Sequence, residues 1–250
     1  MIKLLSGLFK KKDEEVVVPG LKVDMHSHLL PGIDDGVEDL EQALQTIKEL
    51  VALGYETLIT TPHVMGGVYN NDATLILKKR DEVRAYAADH GVKIKLEASA
   101  EYFLDELFMD LLNNDKDKLL PFGGNHILIE TAFMYSSPYL DEAIFLLQAS
   151  GFRPVLAHPE RYIYLHEDWD RYCELHDKGL LFQLNLSSLT GYYSPMVKKI
   201  ARKLIDEERV NFIGTDCHGA RHIPILQKAK KDEYYKKAMA LPLLNSTLAS

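Results

Sequence analysis

The sequence predicts an α/β protein in which parallel strands, each followed by a helix, curl into a distorted TIM-like barrel. Three observations predict it. Short apolar runs alternate with amphipathic helical patterns along nearly the whole chain, the pattern of parallel βαβ units with right-handed crossovers. A histidine or carboxylate recurs at or just beyond the end of these runs, at His26, His63, Glu101, His158 and Asp216. The length, 250 residues, suits one α/β barrel. An open doubly wound sheet would hold the first and last of these side chains far apart. A closed barrel gathers the carboxyl ends of all its strands around one mouth, where barrel active sites sit.

In chain order, residues 1–20 stand outside this pattern as an N-terminal extension. Met1–Lys12 mixes apolar and basic residues, but its apolar stretch is too short for a signal peptide and no small-x-small cleavage pattern follows. We expect a frayed or locally packed tail there, with a short membrane-surface helix as the lesser alternative. No apolar run approaches the roughly 20 residues that span a bilayer. The barrel is expected over residues 21–241, with strands at Leu21–Asp24, Thr57–Thr60, Lys93–Ala98, His126–Glu130, Arg153–Ala157, Leu181–Leu186 and Val210–Gly214. Between the first two, Leu40, Ala43, Leu44, Ile47, Leu50 and Val51 follow helical spacing, with Glu38 and Asp39 at the start and Gly54 near the stop. Further helices are expected over Asp72–His90, Leu104–Asn113, Ser137–Ser150, Asp168–Lys178 and Pro195–Glu208. Pro138 and Pro195 suit first-turn positions, where a missing N–H costs little. The last residues, Pro242–Ser250, read as a loose tail.

Composition narrows the function classes. A net charge of −8 argues against a broad nucleic-acid surface, where Lys and Arg would neutralise phosphates, but leaves room for a local basic pocket holding one phosphate. Cys173 and Cys217 provide no disulfide framework, which points to a reducing cytoplasm.

His26 and His28 lie two apart at a strand end, so period-two geometry aims both imidazoles at one metal ion. With Asp35, His63, Glu101, His158, Asp216 and His218 they form a candidate ligand set too large for one ion, which implies two or three divalent ions of borderline to hard character. Glu101 and Asp216 are natural bridges between closely spaced cations. Such sites clamp the attacking and leaving oxygens in phosphoester hydrolysis and lower the pKa of bound water. Taken singly, His63 reads as a buried strand-end histidine, Glu101 as a solvated charge, and Asp34-Asp35-Gly36 equally well as a turn. The joint recurrence at strand ends decides for ligands. His90, His126, His166, His176 and His222 lack that placement and read as structural or exposed. Arg161 and Arg221 each follow a candidate ligand by three residues and are candidate phosphate clamps. Other phosphatase chemistries fail on spacing. A cysteine nucleophile would need an arginine six residues later, where Gly179 and Ile223 stand, and neither a Gly-x-Ser-x-Gly elbow nor a Gly-x-x-x-x-Gly-Lys loop occurs.

With the motifs His26-Ser27-His28, Thr61-Pro62-His63, His158-Pro159 and Asp216-x-His218, the chain resembles the polymerase-and-histidinol-phosphatase (PHP) superfamily. More narrowly, Met25–Gly36, Thr60–Val64 and His158–Tyr162 are similar to the bacterial manganese-dependent protein tyrosine phosphatases of capsule and exopolysaccharide operons. The resemblance covers about residues 22–224. It implies a distorted (β/α)7 barrel of the PHP fold with a trinuclear site on its C-terminal face, metal positions falling on the eight residues above, and phosphate-binding roles for Arg161 and Arg221. It also implies hydrolysis of phosphotyrosine on a bacterial tyrosine kinase that controls polysaccharide production, with manganese foremost among the ions and iron, zinc or magnesium as alternatives. The rival readings are a small-molecule phosphoesterase, acting on histidinol phosphate or a nucleotide, and a non-catalytic metal-binding partner of the kinase.

Overall fold

The structure, a computed structural model, describes residues 20–249, so the expectations for residues 1–19, the membrane-surface helix among them, lie outside it. In chain order the regular elements are β1 (Val23–Asp24), α1 (Leu40–Ala52), β2 (Thr57–Thr60), β3 (His63–Val64), α2 (Ala73–Asp89), β4 (Lys95–Ala98), β5 (Glu101–Phe103), α3 (Glu106–Asn114) and β6 (His126–Glu130). There follow α4 (Leu140–Ala149), β7 (Arg153–Ala157), α5 (Trp169–Asp177), β8 (Leu181–Asn185), α6 (Pro195–Asp206), β9 (Phe212–Gly214), α7 (Ile223–Ala229) and α8 (Glu233–Met239). Among the described residues, no helix is long and apolar enough to cross a membrane.

The strand pairs are all parallel, in the orders β1-β2-β4 and β3-β5-β6-β7-β8-β9. Beyond β1 and β9, Ser27 and Cys217 form a parallel bridge: His28 N–H donates to the Cys217 carbonyl at 2.9 Å and Asp216 N–H to the His26 carbonyl at 2.8 Å. The segments that follow the first and last strands therefore meet, and the sheet is curled, with helices on its outside. Alternation along the strands sorts the core. Ile127, Ile129, Leu156, Phe182 and Leu184 join the large outer cluster with helix residues such as Ile47, Leu147 and Leu204. Leu128, Val155 and Ala157 turn the other way, into a smaller cluster with Val23, Met25, Ile59, Phe122 and Phe212. That smaller cluster fills the inside of the curl beneath the polar ends of the strands.

The helix signals act locally as capping chemistry predicts. Asp39 is the N-cap of α1, its carboxylate accepting from Gln42 N–H at 2.8 Å; Asp72, Asp105, Asp168 and Ser194 cap α2, α3, α5 and α6 in the same way. Pro195 occupies the first turn of α6. Pro138 does not occupy a first turn: α4 starts at Leu140, later than the expected Ser137, because the Ser137 hydroxyl instead accepts from Tyr139 N–H and donates to the Leu104 carbonyl in a turn before the helix. Two short strands, β3 and β5, and two helices, α7 and α8, add to the expected elements.

The expected loose tail is also corrected. Leu244–Leu248 forms a 3-10 turn whose Asn245 is 1% exposed. Its Oδ1 accepts from Ile213 N–H at 2.9 Å, and its Nδ2 donates to the Ile213 and Val23 carbonyls at 2.8 and 3.1 Å. One amide thus joins β1 to β9 where no ladder does. Asn245→Ala orphans three buried backbone groups, so a loss of about 3 kcal/mol and a drop in Tm of roughly 6–12 °C are expected in thermal denaturation. A Tm within the error of the parent would show that water replaces the amide without cost.

Candidate metal centre

Each candidate side chain is aimed by an identifiable local cause. His26 and His28 flank the bridging residue Ser27, whose carbonyl accepts from the Thr60 hydroxyl at 2.9 Å, while Thr60 Oγ1 accepts from Leu29 N–H at 3.0 Å. The loop that follows folds back under His28, and a Cβ on Gly36 would collide with the His28 carbonyl. His63 opens β3 and pairs in register with Glu101, which opens β5. His158 and Asp216, following β7 and β9, adopt left-handed backbone conformations with φ of 35° and 50°. Side chains other than glycine rarely hold that conformation, at a cost of order 1–3 kcal/mol, and it gathers at functional sites. Only Glu208 shares it among the described non-glycine residues.

The eight candidate ligands converge. His26 Nδ1–H donates to Gln183 Oε1 and His28 Nδ1–H to Asp34 Oδ2, both at 2.7 Å, so in the neutral form of each ring Nε2 carries the lone pair. The two Nε2 atoms lie 3.2 Å apart. Both face Glu101 Oε2, at 3.2 and 3.4 Å, and Asp216 Oδ1, at 3.5 and 3.4 Å. Four electron-pair donors thus meet at one point, the donor chemistry that surrounds a divalent cation. Glu101 Oε1 also meets His158 Nε2 at 3.0 Å, and His63 Nδ1 lies 3.3 Å from Oε2. Asp35 Oδ1 completes the outer side, 3.5 Å from His63 Nε2 and 3.4 Å from His218 Nε2. Ligand atoms within 4.8 Å of one another form four groups: His28, Asp35, His63 and His218; His26, His28 and Glu101; His26, His158 and Asp216; and His63, Glu101 and Glu130.

The electrostatics are mutual. Burial pushes the pKa of His26 down, but Glu101 and Asp216 more than reverse it. Burial likewise opposes charge on His28 and His63; Asp34 lifts the first well above the usual range, and Glu101 with Glu130 raises the second to about 9. Reciprocally, Glu101 and Asp216 are fully buried yet held well below the carboxylate range by the histidines around them.

Above this floor lies a cavity of ≈470 Å³, lined by Asp35, His63, Glu130, His158, Asp216 and His218 among others, with both arginines on its wall. The Arg161 guanidinium is stacked between Phe133 and Tyr193, 4.5 and 4.2 Å from their ring centres, and donates to Asp216 Oδ2 at 3.0 Å. Arg221 is exposed on the rim, with no ion pair among the described residues.

Sequence reasoning missed several residues here. Glu130 ends β6 as Glu101 opens β5, so the strand-end rule would have found it. Gln183 and Asn185 are polar residues two apart in an apolar strand, a period-two signal for the inside of the curl. Gln183 Nε2 donates to Asn185 Oδ1 at 2.9 Å, and Asn185 Nδ2 to Asp216 Oδ2 at 2.6 Å, a buried chain linking His26 to Asp216. Glu160, also buried, accepts from Asn185 N–H and the Ser188 hydroxyl. His222, taken as structural, is buried beside the cluster, its Nδ1 3.2 Å from His218 N and from the Asp216 carbonyl.

This geometry meets a family description. The family model for capsular polysaccharide synthesis, CpsB/CapC, matches residues 22–241. The chain belongs to that family. Among CpsB/CapC relatives, the tyrosine-protein phosphatase YwqE of Bacillus subtilis is 28% identical over 201 residues, spanning 80% of this chain and 78% of YwqE. The tyrosine-protein phosphatase CpsB of Streptococcus pneumoniae is 25% identical over 222 residues, spanning 86% of this chain and 90% of that protein. A solved structure from the study of YwqE and the pneumococcal CpsB, described as unique metal-dependent tyrosine phosphatases, superposes with a TM-score of 0.79 at 26% identity, covering 90% of this chain and 93% of the other. The phosphotriesterase homology protein of Escherichia coli shares the fold at a TM-score of 0.54 and 16% identity, covering 90% of this chain and 97% of its own. In this CpsB/CapC chain Cys217, next to the candidate ligand Asp216, is no nucleophile: burial pushes its thiol up to about 12.

Proposed function

We propose that this chain is a metal-dependent protein-tyrosine phosphatase that acts on a bacterial tyrosine kinase controlling capsule or exopolysaccharide production. One observation carries the reading: the lone pairs of His26 and His28 and the carboxylates of Glu101 and Asp216 meet at the floor of a cavity whose wall carries Arg161. Family membership and the named relatives support the substrate class. We read the curled sheet as a distorted (β/α)7 barrel of the PHP type. In it β2 with β3, and β4 with β5, are single staves interrupted at Thr61-Pro62 and Ser99-Ala100, and the Ser27–Cys217 bridge supports closure. Two free cysteines accord with a cytoplasmic location.

His26, His28, Asp35, His63, Glu101, His158, Asp216 and His218, joined by Glu130, would hold two or three divalent ions, manganese foremost and iron, zinc or magnesium as alternatives. Such ions, when bound, supply an activated water and neutralise charge on the phosphoryl oxygens. The protein's own groups do the rest. Gln183 and Asp34 fix the tautomers of His26 and His28. Arg161 and Asn185 engage Asp216 Oδ2, which leaves Oδ1 turned toward the histidines. The stacked Arg161 and the rim Arg221 hold the phosphoryl oxygens by charge-assisted hydrogen bonds. The tyrosine oxygen departs as a phenolate of pKa about 10, a leaving group that needs little protonation.

The test is hydrolysis of a phosphotyrosine peptide by chelator-stripped protein with manganese, iron, zinc or magnesium restored singly. Activity is expected to vanish on stripping and to return with manganese. Turnover of histidinol phosphate or a nucleotide without turnover of the peptide would keep the site and discard the protein substrate. Silence on every phosphoester would leave the non-catalytic binding partner.

A further inference from the structure

Among the described residues, several exposed apolar side chains sit on segments that border the cavity. Of the nine large hydrophobic residues exposed among those described, five (Phe133, Met134, Tyr135, Ile163 and Tyr192) lie in the segments that follow β6, β7 and β8. Met134 and Tyr135 are 66% and 68% exposed. Ile163 N–H donates to the Phe133 carbonyl at 2.8 Å, which joins two of these segments into one lip. Phe133 and Tyr192 line the cavity together with His158 and Arg161. Residues 131–139 include no charged side chain, in a chain of which 26% is charged. Apolar residues held in water on loops beside a site mark an interaction surface.

We propose that this lip binds apolar residues flanking the phosphotyrosine in an extended segment of the protein substrate, so that the enzyme reads sequence around the phosphate. The inference rests on the phosphotyrosine reading above. Two features select this occupant over another surface. The cavity, ≈470 Å³, sits low in the range of roughly 300–1,000 Å³ common to small-ligand sites, so it takes one side chain with its phosphate while the rest of the segment crosses the rim. Phe133 belongs to both cavity and lip, so the residue beside the phosphotyrosine meets the lip first. Residues 131–139 carry no cation, and Arg161 and Arg221 are engaged with the phosphoryl group in the reading above, so an acidic flank beside this segment is desolvated without compensation.

The experiment compares three phosphotyrosine peptides, identical except for leucine, serine or glutamate beside the phosphotyrosine, with p-nitrophenyl phosphate as a substrate too small to extend from the cavity to Met134, Tyr135 and Ile163. Metal-loaded full-length protein is expected to favour the leucine peptide over the glutamate peptide by about tenfold in kcat/KM. A Met134→Asp/Ile163→Asp variant should lose that preference, mainly through KM, while its rate on p-nitrophenyl phosphate and its Tm stay at the parent values. Tyr135→Ser, a milder change, should move in the same direction and guards against misfolding of the double variant. Equal rates on the three peptides, or a preference that survives the double variant, would overturn the proposal. So would self-association of the parent that the double variant abolishes, because a second copy would then cover the lip. Silence on p-nitrophenyl phosphate with every metal would instead remove the phosphatase reading itself.

Discussion

Glu101→Gln is expected to reduce kcat/KM on phosphotyrosine substrates by on the order of 10³-fold or more, and to leave the purified protein depleted of metal. The substitution keeps the shape of the side chain and removes its charge. Glu101 is the hub of the cluster: its two oxygens lie within 3.0–3.4 Å of ring nitrogens of His26, His28, His63 and His158. An amide offers one weaker acceptor where two carboxylate oxygens now serve. The same change alters stability in chelator. His63, raised to about 9 chiefly by Glu101 against the pull of burial, stabilises the fold fully below its unfolded value of about 6.5, and that stabilisation fades as pH rises toward 9. Urea unfolding of the parent in chelator should therefore weaken between pH 6.5 and 9, and the variant should show a flatter profile. Parent-like metal content with activity within tenfold of the parent would remove Glu101 from the centre.

Much of this was legible because the carboxyl ends of parallel strands in a curled sheet converge, so one polar side chain per strand end is a spatial statement made in one dimension. The runs Thr57–Thr60, His126–Glu130 and Arg153–Ala157 coincide with β2, β6 and β7. What was hidden is short or non-local. β3 spans two residues and β5 three, too few for any periodicity, yet they carry His63 and Glu101. α7 and α8, seven residues each, are likewise too brief for a convincing helical repeat. Asn245 looked like tail because its three partners lie more than 30 residues away. The Gln183–Asn185 pair was passed over for a different reason: attention to ionisable ligands discounts neutral amides, although a buried amide is what fixes a histidine tautomer.

Arg161→Ala is expected to reduce kcat/KM by about 10²–10³-fold, and Arg161→Lys to recover little of it. The guanidinium carbon sits over the Phe133 and Tyr193 rings, which holds its fork at the cavity wall before substrate arrives. Lysine carries the charge but neither stacks as a plane nor presents parallel donors to two phosphoryl oxygens. A competing role exists, because Arg161 also donates to Asp216 Oδ2 and could act only by holding that carboxylate in place. The two roles separate by measurement. Asp216 keeps a second strong donor in Asn185, 2.6 Å away, so metal content should persist in Arg161→Ala while inorganic phosphate loses potency as a competitive inhibitor. Loss of metal together with activity, with phosphate inhibition unchanged in whatever activity remains, would assign the arginine to the ligand shell and take it away from the substrate.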